Sequence, residues 1–159
     1  MRKIRKNVFE TNSSSSHSIT ITDATLEPSY MDIDEDGYIY IELEECCSYA
    51  DYCSQRSRLA IALQQLMYEE GFDFWYASDY DAELEKLYAN EKFQKFSDEI
   101  AAYVGEPCKG VRLVERTEGY IDHESVYYSL DRFLFENGFS SLVDFVFGKG
   151  VNVHFEFNG

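Results

Sequence analysis

Basic residues are few in this chain: 14 Lys and Arg stand against 30 Asp and Glu, a formal net charge of -16. Phosphate backbones and anionic lipid repel such a surface, so neither nucleic acid nor a membrane is expected as a direct partner. Cysteine is equally sparse. Cys46, Cys47, Cys53 and Cys108 are too few and too unevenly spaced for a secreted disulfide scaffold, and no C-x-x-C pair marks a zinc site, so free thiols are expected. No apolar run approaches the roughly 18 residues of a membrane helix. The basic start Met1–Lys6 leads into polar residues rather than an apolar signal core, which points to a protein of the cytoplasm.

Aromatic surface is present in quantity. Thirteen Tyr and twelve Phe, within 45% hydrophobic residues, separate the chain from a disordered acidic tail, whose signature is charge with few aromatics. At 159 residues, near the soft figure of about 150 per domain, one core is expected. The chain divides into a basic and polar segment, residues 1–16, and a single domain, residues 17–159.

Hydrophobic periodicity places the elements. Ile19–Thr22 alternates like a first strand. In Tyr38–Glu44, Ile39, Ile41 and Leu43 share one face, while Tyr38, Tyr40, Glu42 and Glu44 share a wet one. Leu59, Leu63, Leu66 and Met67 recur at helical spacing in a segment from about Tyr52 to Glu70, closed by Gly71. Phe72–Tyr76 is a short strand or an aromatic loop. Ser78 with Asp81 resembles a capping box, opening a long helix through Leu84, Leu87, Tyr88, Phe96, Ile100 and Val104 to Gly105, with a break near Asn90. Val111–Val114 reads as a strand, Glu124–Glu136 as a third helix and Ser141–Phe147 as a shorter helical turn. Val151–Phe157 is the clearest strand, with Val151, Val153, Phe155 and Phe157 on the core face and His154 on the other. Strands interleaved with helices imply an α+β fold, an antiparallel or mixed sheet of four to five strands with three to four helices mainly on one face.

The run Arg5–Ser18, which contains Phe9-Glu10-Thr11-Asn12-Ser13-Ser14-Ser15-Ser16-His17-Ser18, resembles the opening of a family of functionally uncharacterised proteins encoded by bacteriophages and prophages of Gram-positive bacteria. Gly119–Ser125 resembles a second segment of that family. The resemblance implies a phage or mobile-element origin, and with it the host cytoplasm. It carries no activity, fold or catalytic residue to transfer.

The candidate chemistry has to be argued from the residues. Asn12, Ser13, Ser14, Ser15 and Ser16 form either a solvated leader or a nest of hydroxyls and backbone N–H groups for an anion. If the strand begins at Ser16, His17 faces away from both Ser16 and Ser18, which argues against a serine nucleophile there. Asp122, His123 and Glu124 are either the start of a helix or, joined by His17 and His154, an acid/base or divalent-metal site with the serine run holding a phosphate. Asp32, Asp34, Asp36 and Gly37 match the first half of a calcium loop, but Leu43 stands where the bidentate Glu belongs, so an acidic hairpin turn is the expectation. Phe72, Phe74, Trp75, Tyr76, Phe133, Phe135, Phe139, Phe145 and Phe147 are expected mostly in the core.

Ten carboxylates and no Lys or Arg lie between Asp23 and Asp51, and Glu69–Glu91 adds a second acidic region with only Lys86 as counterweight. Tyr beside carboxylates is an interface composition, in which rigid rings supply area and charge steers a basic partner. The expected function is therefore that of a non-enzymatic accessory protein, without a cofactor, that binds a basic host protein through Asp32, Asp34, Asp36, Tyr38, Tyr40, Glu42 and Glu44. The target surface would be the nucleic-acid-binding face of a defence or gene-expression factor. The alternative is a small phosphate- or nucleotide-directed enzyme or ligand-binding protein built on the serine run with His17, Asp122 and His123.

Overall fold

Leu59, Leu63, Leu66 and Met67 fall on a helix that is buried on nearly every side. In the computed structural model, which describes residues 3–5, 15–21, 25–43, 50–52, 54–72, 74, 77–114 and 129–157, this helix α1 spans Gln55–Glu69. It opens where the Ser54 hydroxyl accepts from the Ser57 N–H at 3.0 Å and closes just before Gly71, whose φ of 77° is open to glycine. Residues 58–67 are all buried, including Arg58, Gln64 and Gln65, so α1 is the central element rather than an amphipathic surface helix.

Six strands and the other four helices are arranged around it among the described residues. The strands are β1 (Lys3–Arg5), β2 (Ser15–Ile21), β3 (Tyr38–Ile41), β4 (Ala50–Tyr52), β5 (Gly110–Leu113) and β6 (Val151–Phe157). The helices are α2 (Tyr80–Ala89), α3 (Glu91–Val104), α4 (Leu130–Glu136) and α5 (Leu142–Phe147). The fold is α+β, and its strands are divided between two sheets: an antiparallel one in the order β1-β2-β6-β4, and a parallel pair, β3 with β5. Strand alternation fixes which side of a strand is buried but not which strand it pairs with, so this division left no mark on the pattern.

Asn90 supplies the expected break. It ends α2, then caps α3 by accepting from Phe93 N–H at 3.0 Å, and its amide donates to Glu70 Oε2 at 2.9 Å. Asp79, not Ser78, caps α2, accepting from Ala82 N–H at 3.1 Å, since an Asp immediately before the first turn competes for the same role. The third helix starts at Leu130, capped by Ser129, rather than at Glu124. Residues 115–128 lie outside the described residues.

The core joins α1 to α4, α5 and β3, and α3 packs on α5 and β5. Phe145 is enclosed edge-on by Phe133 at 5.3 Å and Phe139 at 5.1 Å, while Phe147 stacks on Tyr103 at 4.2 Å. Fully burying side chains of this size contributes roughly 1.5–3 kcal/mol each. Phe135 departs from the aromatic expectation and is 80% exposed.

The outer edges of the parallel pair are closed by side chains. On β5, Val111 N–H donates to Ser97 Oγ at 2.8 Å and Leu113 N–H to Tyr88 Oη at 3.1 Å. On β3, the Arg56 guanidinium donates to the Tyr40 carbonyl. These contacts satisfy backbone groups that would otherwise recruit another strand. Ser97 sits so close to β5 that a Cβ on Gly110 would lie 2.2 Å from its Oγ.

Candidate functional site

The acidic residues ahead of β3 form a turn with a fixed backbone. Asp34 N–H donates to the Tyr38 carbonyl and Gly37 N–H to the Asp34 carbonyl, both at 2.8 Å. Asp34 Oδ1 accepts from Glu35 N–H at 2.9 Å, and Asp36 Oδ1 from Tyr38 N–H at 3.2 Å. Lys109 Nζ donates to the Asp36 carbonyl at 2.9 Å. Asp32, Asp34, Glu35, Asp36 and Glu42 all stay exposed on this frame. The expected turn is present at Glu35-Asp36-Gly37, closed by the two backbone bonds of Asp34 with Gly37 at a φ of 92°, while the ladder partner of β3 is the parallel β5.

Two side chains organise the face beside it. The Tyr40 hydroxyl donates to Asp36 Oδ2 at 2.5 Å. That bond holds the Asp36 carboxyl below its ordinary value and pushes the Tyr40 phenol up to about 12. The Arg112 guanidinium lies 4.5 Å from the ring centroid of Tyr38 and 4.0 Å from that of Tyr88. Tyr38 and Tyr40 are thus half-buried and partnered rather than freely solvated. The acidic stretch also acquires basic neighbours that a local count misses, because the fold brings Arg56, Lys109 and Arg112 to it from α1, the chain before β5, and β5 itself.

The segment leading into the turn is braced by the first residue of α1. Gln55 Oε1 accepts from Tyr30 N–H at 2.8 Å, and its Nε2 donates to the Pro28 carbonyl at 2.9 Å. This clamp leaves the Tyr30 ring 69% exposed beside Asp32. Sequence reading missed Tyr30, whose isolated position within the acidic run gives no periodic signal.

In the four-stranded sheet, the register pairs His17 with Phe155, and Ser18 with His154. Asp51 of β4 is also opposite His154, so Ser18, His154 and Asp51 form a lateral row across three strands. His17 occupies the adjacent row with Phe155 and Ala50. Alternation puts these two rows on opposite faces of the sheet. The position of His154 on the non-core face was readable from β6, whereas the short β4 that carries Asp51 was not. Asn12, Ser13, Ser14, Glu44, Asp122, His123 and Glu124 lie outside the described residues.

Elsewhere, α1, α3, α4 and the start of α5 enclose a cleft of about 470 Å³. Glu69 stands at its junction, with one oxygen bound by the Lys92 ammonium and the other accepting from Leu130 N–H at 3.0 Å. Lys92 also reaches Glu70 at 2.7 Å. The contact with Lys92 lowers the Glu70 carboxyl from its ordinary value, while Glu69 foremost raises Lys92 above its own.

No group of three or more His, Cys, Asp or Glu side chains is placed to hold a metal ion among the described residues. In the turn, Asp34 and Asp36 direct oxygens at their own backbone and at Tyr40, which is not the convergent oxygen set that calcium requires. Among the same residues, no helix is long and apolar enough to cross a membrane. Cys108 is a free, half-buried thiol. Comparison of the chain with protein-family models, curated proteins and solved structures finds no match.

Proposed function

We propose that this chain is a non-enzymatic accessory protein that binds a basic partner protein on the turn from Asp32 to Asp36 and the adjoining face of β3. The observation that carries the reading is the rigidity of the turn. Exposed carboxylates are common on acidic chains, but these are presented on a backbone fixed by hydrogen bonds and by the Gln55 clamp. A preorganised acidic surface loses little conformational entropy on docking and steers a cationic partner towards it. Tyr30 adds an exposed ring of the kind enriched at interface centres. The resemblance of Arg5–Ser18 to phage and prophage proteins makes a host protein the partner. Spaced carboxylates that imitate phosphates suit the nucleic-acid-binding face of a defence or gene-expression factor.

The experiment is affinity capture from host lysate with the wild-type chain and with Asp32→Lys, Glu35→Lys and Glu42→Lys combined. These positions avoid Asp34 and Asp36, which build the turn. A basic protein retained by wild type, released by salt and lost from the triple variant is the expected result. Undiminished capture by the folded variant, or recovery of no basic protein, overturns the reading. The phosphate- or nucleotide-directed alternative, built on the serine run with His17, Asp122 and His123, falls largely outside the described residues.

A further inference from the structure

The cleft lies at the far end of α1 from the acidic turn, a 15-residue helix about 22 Å long. Buried Leu66, Phe96, Leu134 and Phe139 line it, yet Phe135, on one of its walls, is 80% exposed. A projecting ring beside an apolar hollow is a knob and a hole on one surface. Such a surface is self-complementary about a two-fold axis, because each copy offers both halves.

The charges favour the same occupant. Lys95 on α3 and Asp131 on α4 line opposing walls, and neither side chain has an ion-pair or hydrogen-bond partner among the described residues. Asp131 precedes Phe135 by four positions, so the two share one stripe of α4. We propose that the chain forms an isologous dimer in which Phe135 of each copy enters the cleft of the other and Asp131 of one copy meets Lys95 of its mate. Fourteen residues line the cleft, below the roughly 20–30 a side of a standard interface, so the dimer is weak and dissociates on dilution. Two bodies of charge -16 repel each other, so added salt strengthens this association, opposite to its effect on an acidic face gripping a basic protein.

Sedimentation equilibrium of the full chain at low and high salt tests it. The expected result is a concentration-dependent dimer that tightens with salt. Phe135→Ser, at an exposed position that does not threaten the fold, weakens it by at least about 30-fold. Lys95→Asp and Asp131→Lys each weaken it, and the pair together recovers most of the loss. A monomer at every concentration up to roughly 0.5 mM in both salts overturns the proposal. So does wild-type dimerisation by Phe135→Ser, or a double exchange that recovers nothing.

Discussion

Arg58 is 1% exposed and spends its guanidinium on backbone carbonyls: Nε and Nη2 donate to Val146, Nη2 also to Gly148, and Nη1 to Val151. These carbonyls belong to the end of α5, the turn beyond it and the start of β6, where a cation complements the C-terminal end of a helix. Replacing Arg58 with Met would leave several buried carbonyls without these donors, each costing about 1–3 kcal/mol, partly offset because a buried charge no longer needs desolvating. A loss of about 3 kcal/mol or more is expected for Arg58→Met in chemical denaturation, and a loss under about 1 kcal/mol would contradict that role. Nothing in the sequence around Arg58 distinguishes it from Arg56, two residues away and half-buried. The difference is made by residues nearly ninety positions later, beyond the reach of any local pattern.

Between elements, Glu69, Glu70, Lys92 and Asn90 bind α1 to α3, and Glu69 extends the joint to α4. The folded value of Glu70 is below its ordinary 4.5, so its contribution is present above that pH and is lost as pH falls through the lower folded value. The folded value of Lys92 is above 10.5, so its contribution is full below that pH and is lost as pH rises through the higher folded value. In Lys92→Met, NMR titration should find Glu70 moved up towards 4.5, and the stability gap to wild type should be widest between these two limits. An unmoved Glu70 would show that Asn90 alone sets its value. Helices were the most legible elements, because Leu59, Leu63 and Leu66, or Phe96 and Ile100, repeat at helical spacing whatever they pack against. Strands were read as strands from Ile39, Ile41 and Leu43, and again from Val151 and Val153. Their partners were not, since pairing joins β2 to β6 across almost the whole chain. In the candidate site, the acidic turn was visible in Asp32, Asp34 and Asp36. The basic residues beneath it were hidden because they arrive from other elements.

For the whole molecule, a charge of -16 favours an expanded chain over a compact one. The described ion pairs are few and lie at the surface, and such pairs contribute little individually. Screening the general repulsion should therefore outweigh the loss of these pairs. Raising sodium chloride from about 0.02 to 0.3 M, which shortens the Debye length several-fold, should raise the midpoint of thermal unfolding. A falling midpoint would mean that specific attractions govern stability despite the net charge.

The two central strands of the larger sheet, β2 and β6, come from opposite ends of the described chain, and the Arg58 anchor also waits for the start of β6. During synthesis, β2 has only the short β1 to pair with long before β6 exists, and the helical middle has to hold together with that sheet incomplete. Closure over such a long loop is entropically slow, and the edge of β2 that waits for β6 is the one most open to chaperones or to the wrong strand in the interval. Native structure in this protein is thus completed late, by the arrival of residues 151–157.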